Sequence, residues 1–250
     1  MAKAILRAEN FSAGYGKPLF SEAEIVLESG RVVSLVGPNG TGKSTVLRCF
    51  AGLLRPLSGN IFLCGRPIES FLPRERAKLV ASVFTQVRIP FGMKCREFVS
   101  LGRIPYSGWL DGRSKVDSQS IDASISSVGM EAFADRRVSD LSDGERSRVF
   151  LARAFASEPK VLLLDEPTAF LDIPNILGLF RLLKKMAREK NVAVLLSTHH
   201  LDYALKFSDR VLAFDGLGNI REDSPDALAR SGFLAWAGGE SLAEKSDENP

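Results

Sequence analysis

"GPNGTGKS", residues 37–44, is the segment from which the architecture of this chain follows most directly. It matches the pattern G-x-x-x-x-G-K-[ST] and lies between an apolar run that ends at Val36 and the helical pattern "STVLRCFAGLL". In such a segment the glycines let successive backbone N–H groups face a polyphosphate, and the N-terminus of the next helix adds a favourable dipole. The order strand, loop, helix therefore predicts a phosphate-binding loop, or P-loop, rather than an ordinary glycine-rich turn.

The P-loop residues have separate expected roles. Lys43 is predicted to reach the β- and γ-phosphates, and the Ser44 hydroxyl is predicted to ligate Mg²⁺. ATP and Mg²⁺ are thus the expected cofactors. The predicted phosphate-binding residues are Gly37, Pro38, Asn39, Gly40, Thr41, Gly42, Lys43, Ser44 and Thr45.

An acidic pair follows the apolar run "VLLLDEP", residues 161–167. A strand that ends in Asp165 brings a carboxylate beside the Mg²⁺ of a P-loop site. The next residue, Glu166, can polarise the attacking water as a general base. Taken alone, such a pair is more often a solvated strand end, but a P-loop in the same chain favours the catalytic interpretation.

One of the two histidines is a further candidate. His199 ends the run "NVAVLLSTHH", residues 191–200, and ligands bind at the C-terminal edge of a parallel sheet. We therefore predict that His199 contacts the γ-phosphate or the attacking water. His200 should point the other way if the strand geometry continues.

The rest of the chain predicts an α/β fold with a mostly parallel sheet. Apolar runs alternate with helical patterns, and between 175 and 190 apolar residues recur at three- and four-residue steps. Short strands with Gly/Pro turns indicate a small antiparallel β lobe, and a mostly helical region follows it. The predicted parallel strands are 31–37, 160–167 and 191–200, the antiparallel lobe is formed by 1–30 and 58–68, and the helical region is 87–158, with a Gly/Pro-rich break at 101–109.

Composition excludes several classes of protein. The 250 residues are 45% apolar and carry a net charge of only +3, so nothing in the charge demands nucleic acid or an anionic membrane. The cysteines (Cys49, Cys64 and Cys95) fit no zinc or disulfide framework, which indicates a reducing compartment. The sequence has neither a secretory signal pattern nor a run of about 18 apolar residues, so a membrane role is expected to come through another subunit.

The order of motifs resembles the ATP-binding subunit of an ABC transporter over about residues 3–225. The resemblance implies a P-loop NTPase fold with one ABC cassette at 1–235, a helical subdomain at about 87–158 and a polar tail at 236–250. The motifs that carry it are the P-loop, "TQ" (85–86), "LSDGE" (141–145), "LLLDEP" (162–167), "FLD" (170–172) and "STHH" (197–200).

The resemblance assigns roles to further residues. Tyr15 in "GYG" would stack on adenine, although a turn tyrosine is the alternative. Gln86 would sense Mg²⁺ and the attacking water, and His199 would be the switch histidine. In "LSDGE", the signature motif, Ser142 and Gly144 would face the γ-phosphate bound by the opposite subunit. Asp172 would lie on the loop that contacts that subunit.

The segment "EFVSLGRIPYSGW", residues 97–109, resembles importers of iron–siderophore, haem or cobalamin, although a Gly/Pro-rich loop between helices is the alternative. The resemblance implies an ATPase on the cytoplasmic side of the membrane, held there by permease subunits that contact its helical subdomain. A second ATPase subunit (a homodimer) and, indirectly, an extracytoplasmic substrate-binding protein complete the expected assembly, without nucleic acid. A soluble ABC ATPase without a permease, for example in iron–sulfur cluster assembly, is the alternative function.

The signature departs from the family pattern at two positions. Ser142 and Glu145 fit a capping box that starts a helix, but the family more often has glycine at Asp143 and glutamine at Glu145. At ~8 Å from a phosphate charge, the Asp143 carboxylate would be repelled by about 0.5 kcal/mol in water and about 2 kcal/mol at an effective dielectric of 20. Arg146 is spaced to offset part of this repulsion. We hypothesise that Asp143 weakens ATP-driven dimerisation.

Overall fold

A computed structural model describes residues 3–84, 92–106, 115–234 and 236 of the chain. Some of the predicted features lie outside these residues. They are Gln86 with Thr85, the end of the segment 97–109 and the polar tail after 236.

A six-stranded sheet forms the centre of the described chain, in the order β10-β9-β3-β8-β7-β6. The strands β9, β3, β8, β7 and β6 run parallel, and β10 pairs antiparallel with β9 at the edge. The prediction of a mostly parallel core sheet is therefore confirmed. The strands are β3 (Val32–Val36), β6 (Val80–Val83), β7 (Val161–Leu164), β8 (Ala193–Ser197), β9 (Arg210–Phe214) and β10 (Ile220–Asp223).

The three strands predicted from apolar runs, β3, β7 and β8, are buried along their whole length. Successive side chains point to opposite faces of the sheet, so a strand that is buried on both faces favours apolar residues at successive positions. In β7, Leu162 and Leu164 pack into one hydrophobic core, and Leu163 packs into the core on the other face. Burial on both faces thus explains why these strands read as continuous apolar runs.

Helices cover one face of the central sheet. The helix predicted at 175–190 is present as α6 (Ile173–Lys190), and it starts earlier because the Asp172 side chain accepts a hydrogen bond from the Asn175 N–H at 3.0 Å. The other helices of this layer are α3 (Cys95–Ser100), α4 (Lys115–Ser127) and α5 (Asp143–Ala156). They lie within the predicted helical region and bury their apolar faces in the same core as α6.

A four-stranded antiparallel sheet with the order β2-β1-β4-β5 lies on the other core, together with α1 (Lys43–Phe50). This confirms the antiparallel lobe, but the expectation of short strands is wrong for its hairpin. The two hairpin strands each extend over 12 residues, and shifts in their pairing interrupt the simple alternation of polar and apolar residues. The strands are β1 (Ala4–Tyr15), β2 (Lys17–Glu28), β4 (Ser58–Leu63) and β5 (Arg66–Pro67).

The sequence did not predict the strands β6, β9 and β10 or the short helices α2 (Pro73–Leu79), α7 (Leu201–Phe207) and α8 (Pro225–Arg230). Strand β6 has only four residues, and β10 reads "IRED", so neither gives a clear apolar pattern. None of the helices in the described part of the chain is long and apolar enough to span a bilayer.

Candidate nucleotide-binding site

The P-loop links the buried strand β3 to the first turn of α1. Its backbone has positive φ at Gly37 (153°) and Gly42 (110°). A Cβ atom on Gly37 would lie 2.8 Å from Phe214 Cβ, so both the conformation and the space require glycine there. Helix α1 has no side-chain cap at Gly42, which leaves its first N–H groups available to a ligand.

Lys43 lies back across the loop. Its Nζ donates hydrogen bonds to the carbonyl oxygens of Gly37 (2.7 Å) and Pro38 (2.8 Å), and the residue is 6% exposed. Burial lowers the pKa of Lys43 from its ordinary value, while the negative charges of Glu166 and Asp165 partly offset this effect. The loop thus holds a buried cation that a polyphosphate would stabilise.

Two serine hydroxyls meet at Asp165, the first residue after β7. Ser44 Oγ donates to Asp165 Oδ1 at 2.9 Å, and Ser197 Oγ donates to the same oxygen at 2.8 Å. Ser44 is at the start of α1, which follows β3, and Ser197 is at the end of β8. In the sheet, β8 lies between β3 and β7, and Asp165 follows β7 directly. The fold therefore brings together Ser44 and Asp165, which are 121 residues apart in the sequence.

Glu166 and His199 are in direct contact. His199 Nε2 lies 2.5 Å from Glu166 Oε1, and both side chains are partly exposed to solvent. Glu166 has a positive φ of 49°, which turns the chain sharply after Asp165. The ring of His200 instead packs against Tyr203 in a T-shaped arrangement, so the two histidines have different surroundings, although β8 ends at Ser197 and its strand geometry does not extend to them.

The oxygen donors beside the P-loop fit a magnesium ion. Mg²⁺ prefers hard oxygen ligands and usually combines one or two carboxylates with substrate phosphates and water. The hydrogen-bonded pair of Ser44 and Asp165 supplies a hydroxyl and a carboxylate at the start of α1. These two residues are therefore the candidates to hold the ion.

Tyr15 ends β1 and is 62% exposed. Its hydroxyl accepts a hydrogen bond from Arg48 Nη1 at 2.7 Å, and Arg48 is on α1, the helix that the P-loop starts. The ring thus lies next to the P-loop helix with its surface open to solvent. This position leaves the ring accessible to a base.

The signature motif forms the predicted capping box at the start of α5. The Glu145 N–H donates to Ser142 Oγ (3.3 Å), and the Ser142 N–H donates to Glu145 Oε2 (2.9 Å). The Ser142 N–H, followed by the Ser142 hydroxyl, holds the pKa of Glu145 below its usual value. Among the described residues, neither Ser142 nor Gly144 hydrogen-bonds to the P-loop.

Asp143 pairs with Arg146, as its spacing predicts. Arg146 Nη1 donates to Asp143 Oδ1 at 3.1 Å, and Arg146 Nη2 donates to the carbonyl of Leu141 at 3.0 Å. Asp143 and Arg146 line one hollow together with Asp165 and Glu166. The Asp143 carboxylate thus adds negative charge to a hollow that already holds the acidic pair, and Arg146 compensates part of it.

Gly144 and Asp172 lie at neighbouring helix starts. A Cβ on Gly144 would lie 2.8 Å from the side-chain amide of Asn175, and the Asn175 N–H is bonded to Asp172. The first turns of α5 and α6 are therefore in close contact. The two residues predicted to face another subunit are connected through one asparagine.

The ABC transporter family model matches residues 20–169, which include the P-loop, the signature motif and the acidic pair. This chain belongs to the ABC transporter ATP-binding family. It accordingly binds ATP and hydrolyses it to drive transport.

Individual relatives agree with this assignment. An uncharacterized ABC transporter ATP-binding protein of Methanocaldococcus jannaschii is 38% identical over 83% of this chain and 72% of its own length. A ferric enterobactin transport ATP-binding protein of Escherichia coli K12 is 32% identical over 92% of this chain and 86% of its own. A chain from an inward-facing ABC transporter described as of the metal-chelate type superposes with a TM-score of 0.82 at 26% identity, covering 93% of this chain and 88% of that one.

Two further residues of this ABC ATPase bear on the site, Gln86 and Ser197. Gln86, predicted to sense Mg²⁺ and water, lies outside the described residues. Ser197 was missed at the sequence level, although it touches both members of the acidic pair. A polar residue at the end of an otherwise apolar run, two positions before His199, was the available signal.

Proposed function

We propose that this chain is the ATP-hydrolysing subunit of an importer for siderophore-bound iron or a related metal chelate. The observation that carries the proposal is the convergence of Ser44, Asp165, Glu166 and His199 at the C-terminal edge of the sheet beside the P-loop. Together with the P-loop, this set supplies a phosphate cradle, an ion-binding pair and a base at one edge of the sheet.

The proposed chemistry assigns one task to each group. The P-loop N–H groups and Lys43 bind the β- and γ-phosphates, and Lys43 exchanges its two carbonyl partners for phosphate oxygens. Ser44 and Asp165 would hold Mg²⁺, which would supply positive charge to the phosphates. Glu166 orients and polarises the attacking water as general base, and His199, in contact with Glu166, positions that carboxylate and the γ-phosphate.

The site is proposed to be completed by a second copy of the chain. Ser142 and Gly144 make no hydrogen bond with the P-loop of their own chain in the described structure, so their helix start is free to face another phosphate. ATP would then lie between two chains, and loss of the γ-phosphate would weaken the contact. Closure and opening of such a dimer are the proposed motion that drives the permease.

The transported class is inferred from relatives. The Escherichia coli relative is named for ferric enterobactin transport, and the superposed transporter is described as of the metal-chelate type. These names support importer ATPase function over iron–sulfur cluster assembly. We accordingly propose a peripheral location on the cytoplasmic side of the membrane, with permease subunits contacting the layer of α3, α4 and α5, and an extracytoplasmic binding protein that delivers the chelate.

Uptake by cells tests the proposal. A strain that lacks the chain would be supplied with iron-55 on a hydroxamate or catecholate siderophore, or with labelled cobalamin or haem. We expect uptake of a ferric siderophore to be lost, and to be restored by the wild-type chain but not by Glu166→Gln. Unchanged uptake of every chelate, with ATPase activity retained in the purified chain, would instead favour a function without a permease.

A further inference from the structure

We propose that Ser197 is a positioning residue of the ATPase site, whose one hydroxyl group fixes the positions of both Asp165 and Glu166. The inference rests on the proposed roles of these two carboxylates. Ser197 is fully buried at the end of β8. The strands that pair with β8 are β3, which leads into the P-loop, and β7, which leads into the acidic pair.

The hydroxyl group makes two bonds with opposite polarity. Ser197 Oγ accepts a hydrogen bond from the Glu166 backbone N–H at 2.8 Å and donates its single proton to Asp165 Oδ1 at 2.8 Å. Since a serine hydroxyl has one proton, donation to Asp165 leaves its lone pairs for Glu166. One buried atom thus links the two adjacent residues that have different proposed tasks.

The bond to Glu166 acts on a strained position. Glu166 has a φ of 49°, a left-handed conformation that a non-glycine residue keeps only where its surroundings hold it. Its carbonyl accepts a bond from the Ala169 N–H at 3.0 Å, and its carboxylate contacts His199. Ser197 supplies the bond at the N–H, so the backbone that carries the base is held from both sides.

The bond to Asp165 fixes the orientation of a carboxylate. Ser197 and Ser44 both donate to Oδ1, so the two bonds approach the same oxygen from different elements. If Ser44 moves to bind an ion, the Ser197 bond remains to hold the plane of the carboxylate. Loss of the Ser197 hydroxyl therefore affects the ion-binding group and the base together, while the P-loop backbone is unaltered.

Ser34 provides a matched control. It is fully buried in β3, the strand beside β8, and its hydroxyl bonds only with Ser208 Oγ among the described contacts, at 2.6 Å. Ser34→Ala removes a buried hydroxyl from the same sheet without touching the acidic pair. A comparison with Ser197→Ala separates positioning from general loss of stability.

The experiment uses the purified full chain as wild type, Ser197→Ala, Ser34→Ala, Glu166→Gln and the double variant Ser197→Ala/Glu166→Gln. Thermal unfolding checks each fold, steady-state assays give kcat and KM, and calorimetry gives the Kd of ATP with Mg²⁺ and with EDTA. For Ser197→Ala we expect kcat to fall about tenfold or more with KM for ATP within about twofold, since a displaced catalytic group costs up to ~100-fold. The Kd in EDTA should match wild type, and the gain in affinity on adding Mg²⁺ should shrink several-fold.

The double variant tests whether Ser197 acts through Glu166. If it does, replacing Ser197 should lower the residual turnover of Glu166→Gln by a smaller factor than it lowers wild-type turnover, because residues that act as a unit are non-additive, and the remaining loss reports the bond to Asp165. Equal kcat and equal Mg²⁺ dependence in Ser197→Ala and Ser34→Ala would overturn the positioning role, even if Glu166→Gln is inactive. Unchanged turnover in Glu166→Gln would overturn the proposed function itself, so the two failures are distinguishable.

Discussion

At the scale of single residues, Lys43 shows how the site is prepared for phosphate. Its ammonium group is buried against two carbonyl oxygens, and burial lowers its pKa. The nearby carboxylates of Glu166 and Asp165 reduce this effect without providing a direct salt bridge in the described structure. The lysine is thus held at the site before any polyanion arrives.

Affinity for ATP should depend on pH through Lys43. Because its pKa in the free protein is lowered and the phosphates favour the charged form, ATP binding should take up protons at alkaline pH. The affinity should therefore fall as the pH rises through the lowered pKa, below the ordinary value of 10.5. Calorimetry in buffers with different ionisation enthalpies measures both effects. Lys43→Ala should bind ATP weakly and lose the alkaline dependence, and an unchanged dependence would exclude Lys43 as its source.

Asp143 offers a second test at this scale. Its salt bridge with Arg146 is solvent-exposed, and such pairs contribute only about 0–1 kcal/mol, so it screens the carboxylate incompletely. Asp143→Gly should strengthen ATP-driven dimerisation by a few-fold. This change corresponds to the lower end of the repulsive free energy expected between the carboxylate and a phosphate charge at ~8 Å. Sedimentation of the chain with Mg-ATP measures this change. Dimerisation and turnover equal to wild type would leave Asp143 as a residue of the helix start only.

At the scale of elements, the segment 101–106 connects the helices of one layer. Arg103 is buried and donates to Asp117 on α4 at 2.8 Å and to the carbonyl of Ala156 on α5 at 2.9 Å. The Tyr106 ring lies 3.8 Å from the Arg103 guanidinium carbon, and its hydroxyl donates to the Ser157 carbonyl at 2.8 Å. The sequence pattern that resembles importers is therefore also a packing requirement.

Gly102 makes this requirement testable. A Cβ there would lie 2.1 Å from the Arg153 carbonyl oxygen, which belongs to the backbone of α5 and cannot move alone. Gly102→Ala should destabilise the chain by about 1–3 kcal/mol, the usual cost of overpacking. Gly178→Ala in α6 is the control, since the nearest atom to its Cβ would be Arg148 Nη2 at 3.7 Å, and the change should stabilise by about 0.5–1 kcal/mol. Denaturant unfolding measures both, and equal effects would contradict the contact.

The elements also show what sequence reasoning could reach. The strands β3, β7 and β8 were predictable because burial on both faces makes nearly every position in them apolar, with Ser34 and Ser197 as the polar exceptions. The edge strand β10 was not, because its outer residues are polar and its pairing with β9 is set by tertiary contacts. The length of the β1 and β2 strands was underestimated because shifts in their pairing interrupt the alternation of polar and apolar residues.

Some residues of the candidate site could likewise be predicted from the sequence, and others could not. Ser44, Asp165 and Glu166 were predictable because their motifs join a residue type to the end of a strand. Ser197 was not, since a buried serine has meaning only once β8 is known to lie between β3 and β7. The contact of Gly144 with Asn175 likewise depends on how α5 and α6 pack.

At the scale of the whole molecule, the start of α5 and the acidic pair border one hollow, through Asp143, Arg146, Asp165 and Glu166. Among the described residues, neither Ser142 nor Gly144 at this helix start hydrogen-bonds to the P-loop. In the proposed function a second chain completes this site, and the stability of the pair depends on the γ-phosphate. Glu166, as the proposed general base, would control the release of that contact.

Glu166→Gln, assayed for ATP turnover and for oligomeric state by light scattering in Mg-ATP, tests whether Glu166 is the base whose action opens the dimer. The amide preserves the size of the side chain but cannot accept the proton, so turnover should fall by about a hundredfold or more. ATP affinity should stay near that of wild type, and a dimer should persist in Mg-ATP while wild type returns to monomer as it hydrolyses the nucleotide. Equal turnover in Glu166→Gln and wild type would contradict the account.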